Sequence, residues 1–184
     1  MTLTDAAPAG AMARESAYRP RHPLDLMGTV SILRRGGTDP TMVIDAGRIW
    51  IALLTDAGIA TLCLRATTDG VLATAWGPGA AEALDAVPRL CGSDDDASGF
   101  DVSPHPQLAE VARRNPGLRL TRTDRLFDAL SQSILEQKVT AMQAFGAWRY
   151  LVVRYGEPAP GPTPRPMFAA PFVKQWHHIP SWAW

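Results

Sequence analysis

The chain has 184 residues, of which 46% are hydrophobic and 20% charged, and its formal net charge is zero. This composition is typical of a globular protein and excludes a disordered or membranous chain. No run of eighteen apolar residues occurs, so no membrane span is predicted, and residues 1–18 lack the apolar core of a secretion signal and are predicted to be a flexible tail.

Residues 19–101 begin with the pattern of a helix. Leu26, Val30 and Leu33 recur at helical spacing and two consecutive glycines follow them. A helix is therefore predicted to open at Pro23 and to end at those glycines. Together with the strand patterns that come next, this helix predicts an α+β domain.

Four short strands are predicted after this helix, over residues 42–44, 48–54, 59–65 and 71–76. Turn residues separate them, and connections this short predict an antiparallel meander, because parallel strands need long crossovers. Asp69-Gly70 is expected to supply the positive φ angles of a tight hairpin. A further helix is predicted with Leu84, Val87 and Leu90 on one face.

Residues 102–184 carry helical patterns and no strand pattern, so this half is predicted to be helical. One helix is predicted to stop at Asn115, where a Pro-Gly pair follows. The next is expected to use Asp124 as its N-cap and to carry four apolar residues on one side, namely Phe127, Leu130, Ile134 and Leu135. A third is predicted from Met142 to Tyr155.

The last seventeen residues are rich in aromatic side chains, which are Phe168, Phe172, Trp176, Trp182 and Trp184. Chain termini are usually polar and loosely held. An aromatic segment of this kind is expected to pack against further protein, and the chain is interpreted as stopping within a fold.

The charge is unevenly distributed along the chain. Residues 1–101 hold 8 basic and 13 acidic side chains, a net charge of −5, whereas residues 102–184 hold 10 basic and 5 acidic side chains, a net charge of +5. A positive half can attract phosphates although the whole chain is neutral. Cys63 and Cys91 stand in unrelated contexts and are expected to be reduced, buried thiols of a cytoplasmic protein, and no metal or disulfide site is predicted.

The most informative segment runs from Leu126 to Thr140 and reads LFDALSQSILEQKVT. It resembles the signature S-I-L-x-Q-x-V-[ST] of the helix-hairpin-helix DNA glycosylases, where it forms a helix, a tight turn and a second helix. With the preceding NPGLRL segment and the strand-rich domain before it, the chain is similar to the amino-terminal half of the DNA-3-methyladenine glycosylase II family. The similarity covers residues 20–184.

The resemblance implies that Gln137, Lys138 and Thr140 contact DNA. A glycosylase must take its target base out of the stack, and a side chain must fill the gap. Gln137 has an amide that can hydrogen-bond base edges. Lys138 stands where an apolar wedge is often found, and its stem can fill space while its ammonium reaches a phosphate. The alternative is that Gln137-Lys138 is simply a polar turn between two helices.

A basic stretch precedes this segment and comprises Arg113, Arg114, Arg119, Arg122 and Arg125. Arg122 and Arg125 are the predicted contacts to the phosphate backbone, and solvated protein faces are the alternative. Members of the family have an aromatic residue at the floor of the base pocket, and the resemblance places Thr29 at that position. Trp50 and Trp76 are interpreted as core residues of the sheet.

Two parts of the family's machinery have no counterpart in this sequence. No segment resembles the hairpin L-P-G-[IV]-G-x-x-T-A, whose backbone amides grip a phosphate. No position matches the aspartate that follows the hairpin and stabilises the charge developing on the sugar. No catalytic residue and no cofactor is therefore assigned, and the chain is interpreted as truncated before the hairpin.

The resemblance implies an amino-terminal α+β domain, residues 19–101, followed by a partial helical glycosylase domain, residues 102–184. It implies a parent enzyme of base excision repair that hydrolyses the N-glycosidic bond of alkylated purines in damaged double-stranded DNA. This enzyme is expected in the cytoplasm, associated with the nucleoid, and the present chain is expected to be inactive alone. The alternatives are a complete, non-catalytic DNA-binding or damage-sensing module and a truncated reading frame without function.

Overall fold

A computed structural model describes residues 12–180. Its largest element is a five-stranded antiparallel sheet with the strand order β1–β5–β4–β3–β2. The strands are β1 (Arg14–Tyr18), β2 (Met42–Asp45), β3 (Arg48–Thr55), β4 (Gly58–Thr67) and β5 (Gly70–Trp76). Helices accompany this sheet, so the predicted α+β class and the meander from β2 to β5 are confirmed.

Tight turns join the strands of the meander. Ala46 and Gly47 connect β2 to β3 with φ angles of 47° and 73°, which is the conformation that a type I′ hairpin requires. In the β4–β5 hairpin, Gly70 pairs with Thr67 and has a φ of 144°. Because Thr67 pairs with Gly70, the turn residues are Thr68 and Asp69, one position earlier than the Asp69-Gly70 turn expected from the sequence. Asp69 itself has no positive φ.

The sequence predicts that residues 14–18 belong to a flexible tail, but in the structure they form β1. This strand pairs with β5 over five residues, from Arg14 opposite Ala75 to Tyr18 opposite Val71. Four of its five residues are exposed, and an edge strand of this kind lacks the apolar alternation that reveals a half-buried strand. The first eleven residues of the predicted tail lie outside the described residues.

The first helix is shorter than its apolar spacing predicts. α1 spans Leu26–Val30 and a single 3₁₀ turn follows over Ser31–Leu33. The helix begins at Leu26 rather than Pro23 because the carboxylate of Asp25 accepts a hydrogen bond from the amide of Gly28 at 2.9 Å, which satisfies a free donor of the first turn.

The main core lies between one face of the sheet and the short helices α1, α2 (Ala80–Asp85) and α3 (Val87–Leu90). Cys91 follows α3 and is fully buried in this core. Burial raises the pKa of its thiol to about 12, since a thiolate would lose its hydration there. Cys63 is also buried and neither cysteine forms a disulfide, which confirms the prediction of buried free thiols.

The opposite face of the sheet is covered by the segment that follows the long helices. Trp50 and Trp76 stack with their ring centroids 5.6 Å apart and an interplanar angle of 17°. They pack with Met167 and Ala169, which confirms their interpretation as core residues. A two-stranded sheet, β6 (Glu157–Pro158) with β7 (Phe168–Ala169), lies here. The sequence predicted no strand in this half, because strands of two residues show no alternation.

The second half contains the predicted helices, which are α4 (Pro106–Arg114), α5 (Leu126–Leu135) and α6 (Ala141–Tyr155), and then a short α7 (Val173–Trp176). α5 buries Ser131 and Leu135, whereas Leu130 and Ile134 are 53% and 45% exposed. The apolar side expected for α5 is therefore rotated partly toward solvent. None of the helices between residues 12 and 180 has the length and apolarity needed to cross a membrane.

The aromatic residues near the carboxyl end pack in part against the helices. Phe127 of α5 meets Trp176 edge to face, with ring centroids 5.5 Å apart, and Phe168 packs against the buried cluster around Trp148 and Leu151. Trp182 and Trp184 lie outside the described residues.

Candidate nucleic-acid interface

The segment with the glycosylase-type signature forms a helix, a turn and a second helix. α5 ends at Leu135, α6 begins at Ala141, and we call residues 136–140 the α5–α6 turn. The amide of Gln137 donates to the carbonyl of Ile134 at 3.1 Å and so closes the last turn of α5. All five residues of the α5–α6 turn are exposed, so Gln137 and Lys138 are accessible to a large partner.

Lys138 has an unusual backbone conformation. Its φ is +59°, in the left-handed region that side chains with a Cβ rarely adopt. Such a conformation costs of order 1 kcal/mol and persists only where the surrounding structure enforces it, which happens often at binding sites. Glycine or asparagine would form the same turn at lower cost, so turn geometry alone does not favour lysine at this position.

Thr140 is the N-cap of α6. Its hydroxyl oxygen accepts from the amide of Gln143 at 3.4 Å, and its own amide donates to the side-chain oxygen of Gln143 at 3.0 Å. These two bonds form a capping box, in which each side chain accepts from the backbone amide of the other residue. The structure therefore gives Thr140 a local role, and its predicted contact with DNA stays a prediction.

Replacement of Thr140 by alanine is expected to lower the free energy of unfolding by about 1 kcal/mol, because the substitution removes the cap acceptor at the start of α6. Chemical denaturation measures this change. Thr140→Ser is the matched control, since serine keeps the hydroxyl and is expected to retain the stability. Equal losses in both variants would contradict a capping role.

Arg122 and Arg125 precede α5 and are paired with carboxylates. Arg122 Nε lies 2.5 Å from Asp124 Oδ1, and its Nη1 lies 3.0 Å from Asp94 Oδ2. The hydrogen bond to Asp124 and the charge of that carboxylate raise the pKa of Arg122 above its ordinary value. Arg125 Nη2 lies 2.5 Å from Asp128 Oδ2. Phosphate would have to displace these partners, and DNA binding by the two arginines stays a prediction.

The N-cap expected for α5 is wrong. Arg125 occupies that position without a side-chain cap bond, and Asp124 has a φ of +53°. The carboxylate of Asp124 instead lies 2.6 Å from Arg89 Nε and also binds Arg122. The guanidinium of Arg122 gives this carboxylate a stronger, charge-assisted hydrogen bond than a backbone amide would. The ion pair with Arg89, which is distant from Asp124 in the chain, is not evident from the local sequence.

The remaining arginines of the basic stretch also have partners. Arg113 and Arg114 both pair with Glu110 on α4. The side chain of Arg119 donates to His22 Nδ1 at 3.2 Å, and its amide donates to the hydroxyl of Thr29 at 3.1 Å. Thr29 is fully buried, so the residue placed at the pocket floor by resemblance acts in the structure as a buried acceptor.

A cavity of about 370 Å³ lies between β3, α3 and α5, and a more open cleft of about 600 Å³ adjoins it next to α7. Asp124 and Asp128 line both spaces, and each carboxylate is paired with an arginine. Neither is assigned a part in bond cleavage on this geometry. Within residues 12–180, no group of three or more histidine, cysteine or acidic side chains is arranged to hold a metal ion.

The sequence matches no protein-family model and no curated protein. The structure resembles solved DNA glycosylases. The 3-methyladenine DNA glycosylase from Archaeoglobus fulgidus superimposes with a TM-score of 0.68 at 11% identity, over 88% of this chain and 57% of that one. MBOgg1, in complex with a low-affinity DNA ligand, gives a TM-score of 0.63 at 13% identity, over 97% and 58% of the two chains.

A third similar structure is the 8-oxoguanine glycosylase/lyase of Clostridium acetobutylicum, with a TM-score of 0.63 at 13% identity over 92% of this chain and 57% of that one. The chain thus spans somewhat more than half the length of the solved structures that it matches. Similarity at these identities establishes a fold and does not separate one glycosylase family from another. The described part of the chain has the fold of the corresponding part of the DNA glycosylases.

Proposed function

We propose that this chain belongs to a DNA N-glycosylase of base excision repair that acts on alkylated purines, and that it supplies a DNA-binding part of that enzyme. The observation that carries the proposal is the α5–α6 turn. An exposed Gln137-Lys138 pair, with Lys138 held at a φ of +59°, occupies the signature position within a glycosylase-type fold.

The chemistry of base excision explains why such a turn is useful. Extrusion of a base from the duplex costs a few kcal/mol of stacking and pairing. A protein recovers part of this cost when a side chain enters the gap and polar groups meet the unpaired partner base. Gln137 offers both a donor and an acceptor for base edges. Lys138 offers an aliphatic stem that can fill the gap in the base stack and a positive charge that can bind the phosphate backbone of the DNA.

Cleavage of the glycosidic bond needs a group that stabilises positive charge on the sugar or positions the attacking water. No carboxylate of this chain is assigned to that task. We therefore expect the chain by itself to bind damaged duplex DNA and to release no base. The hydrolysis of alkylated purines is proposed for the whole enzyme.

Two measurements on the purified chain test this function. Fluorescence anisotropy is expected to show binding to duplex DNA that weakens steeply as salt rises, since phosphate contacts release counterions. Chromatography of DNA containing 3-methyladenine is expected to show no released base. An affinity that stays constant from low to moderate salt, or the absence of any binding, would overturn the proposed DNA-binding role.

A non-catalytic damage sensor is the second candidate. It is favoured by the ion pairs that occupy Asp124 and Asp128 beside the cavity. The two candidates differ in selectivity, because a sensor has to distinguish damage by binding alone. A preference of at least about tenfold for a damaged over an undamaged duplex, in the absence of base release, would favour the sensor.

A further inference from the structure

The loop after α1 links the sheet to the α5–α6 turn. We call residues 34–41 the Arg35 loop. Its anchor is Asp39, which is 1% exposed. Asp39 Oδ2 accepts from the amide of Arg35 at 2.7 Å, and its Oδ1 accepts from the amide and the hydroxyl of Thr41 at 2.9 and 2.8 Å. A buried carboxylate with three donors fixes the loop firmly.

The side chain of Arg35 extends from this loop to α5. Its Nε donates to the side-chain oxygen of Gln132 at 2.6 Å and lies 3.8 Å from Glu136 Oε1. Gln132 and Glu136 are one helical turn apart, and Glu136 is the first residue of the α5–α6 turn. Arg35 therefore holds the last turn of α5 at the point where the helix ends.

The same loop touches the helix on the other side of the α5–α6 turn. Gly36 has a φ of +74°, and a Cβ built there would lie 2.9 Å from a ring carbon of Phe145 in α6. The backbone of the loop thus lies directly on that ring. The Arg35 loop therefore contacts both helices that flank the α5–α6 turn. The guanidinium of Arg35 contacts α5, and the backbone of Gly36 contacts α6.

We propose that Arg35 is a positioning residue for the α5–α6 turn, which it holds in the conformation that presents Gln137 and Lys138 to DNA. The consequence for DNA rests on the proposed function, whereas the mechanical role of Arg35 does not. Without the guanidinium, the end of α5 loses its contact with the Arg35 loop, and the left-handed conformation of Lys138 loses part of its support.

Hydrogen–deuterium exchange of the whole chain tests this role without DNA. Arg35→Met keeps the aliphatic length and removes every side-chain donor. The hydrogen-bonded amides of Glu136 and Gln137 are expected to exchange at least about threefold faster, while amides of β4 keep their rate. Arg19→Met is the matched control. The Arg19 side chain is 79% exposed and its nearest carboxylate is 3.9 Å away, so no change is expected.

A second variant covers the case in which Arg35→Met disturbs the whole fold. Gln132→Met removes the acceptor on α5, leaves the Arg35 loop intact, and is expected to accelerate exchange of the same amides. Wild-type rates at the amides of Glu136 and Gln137 in both variants, or an equal acceleration in Arg19→Met, would overturn the proposal. If the wild-type chain bound no DNA, the proposed function would fail while the exchange rates still decided the role of Arg35.

Discussion

Replacement of Lys138 by glutamate is expected to weaken duplex binding by roughly tenfold, which corresponds to about 1.4 kcal/mol. The substitution turns attraction to the phosphate backbone into repulsion at the apex of the exposed α5–α6 turn. Fluorescence anisotropy at fixed salt measures the change. Lys138→Gln removes the charge alone and is expected to lower the slope of log affinity against log salt by about 0.9, the value for one phosphate contact.

Lys174 provides the matched control, because it is the other lysine of the chain. It lies on α7, with its ammonium 5.6 Å from the ring centroid of Phe172. Lys174→Glu makes the same change in net charge and is expected to leave the affinity within about twofold. Equal losses in the two variants would mean that the overall field, rather than the α5–α6 turn, attracts DNA.

Replacement of Asp39 by alanine is expected to lower the free energy of unfolding by about 3 kcal/mol. The carboxylate is buried and accepts three hydrogen bonds, so its removal leaves the donors of Arg35 and Thr41 without partners in the interior. Denaturation in urea measures the loss.

Asp85→Ala serves as the control for removal of one negative charge, since Asp85 is exposed at the end of α2. Its stability is expected to stay within about 0.5 kcal/mol of the wild type. A loss below about 1 kcal/mol in Asp39→Ala would show that the Arg35 loop is held by other contacts, and it would also weaken the proposed path from the sheet to the α5–α6 turn.

The elements fixed by local sequence were predictable. Apolar runs separated by turn residues predicted β2 to β5, because hairpin pairing depends on neighbours a few residues apart. The same reasoning found α4, α5 and α6. It failed for β1, since Arg14–Tyr18 becomes a strand only through pairing with β5, more than fifty residues away. No pattern within those five residues reveals that partner.

The candidate site was predictable only in its position. The signature located Gln137 and Lys138 at the turn, and the structure places both there, exposed. The contact of Arg35 with Gln132 joins residues 97 positions apart and left no sequence signal. The arginines show a related limit, because their charges predicted phosphate contacts, whereas the ion pairs of Arg122 with Asp94 and of Arg89 with Asp124 form only in the folded arrangement.

The stacked tryptophans give this chain an optical reporter of its sheet. Trp50 lies on β3 and Trp76 ends β5, and β4 runs between those two strands. Two indoles at a centroid separation of 5.6 Å are close enough for their electronic transitions to couple, and we expect this coupling to contribute to the near-ultraviolet circular dichroism of the folded chain. The stacking requires β3, β4 and β5 to stay aligned, so we expect this contribution to be lost when the sheet dissociates, even where the helical signal persists.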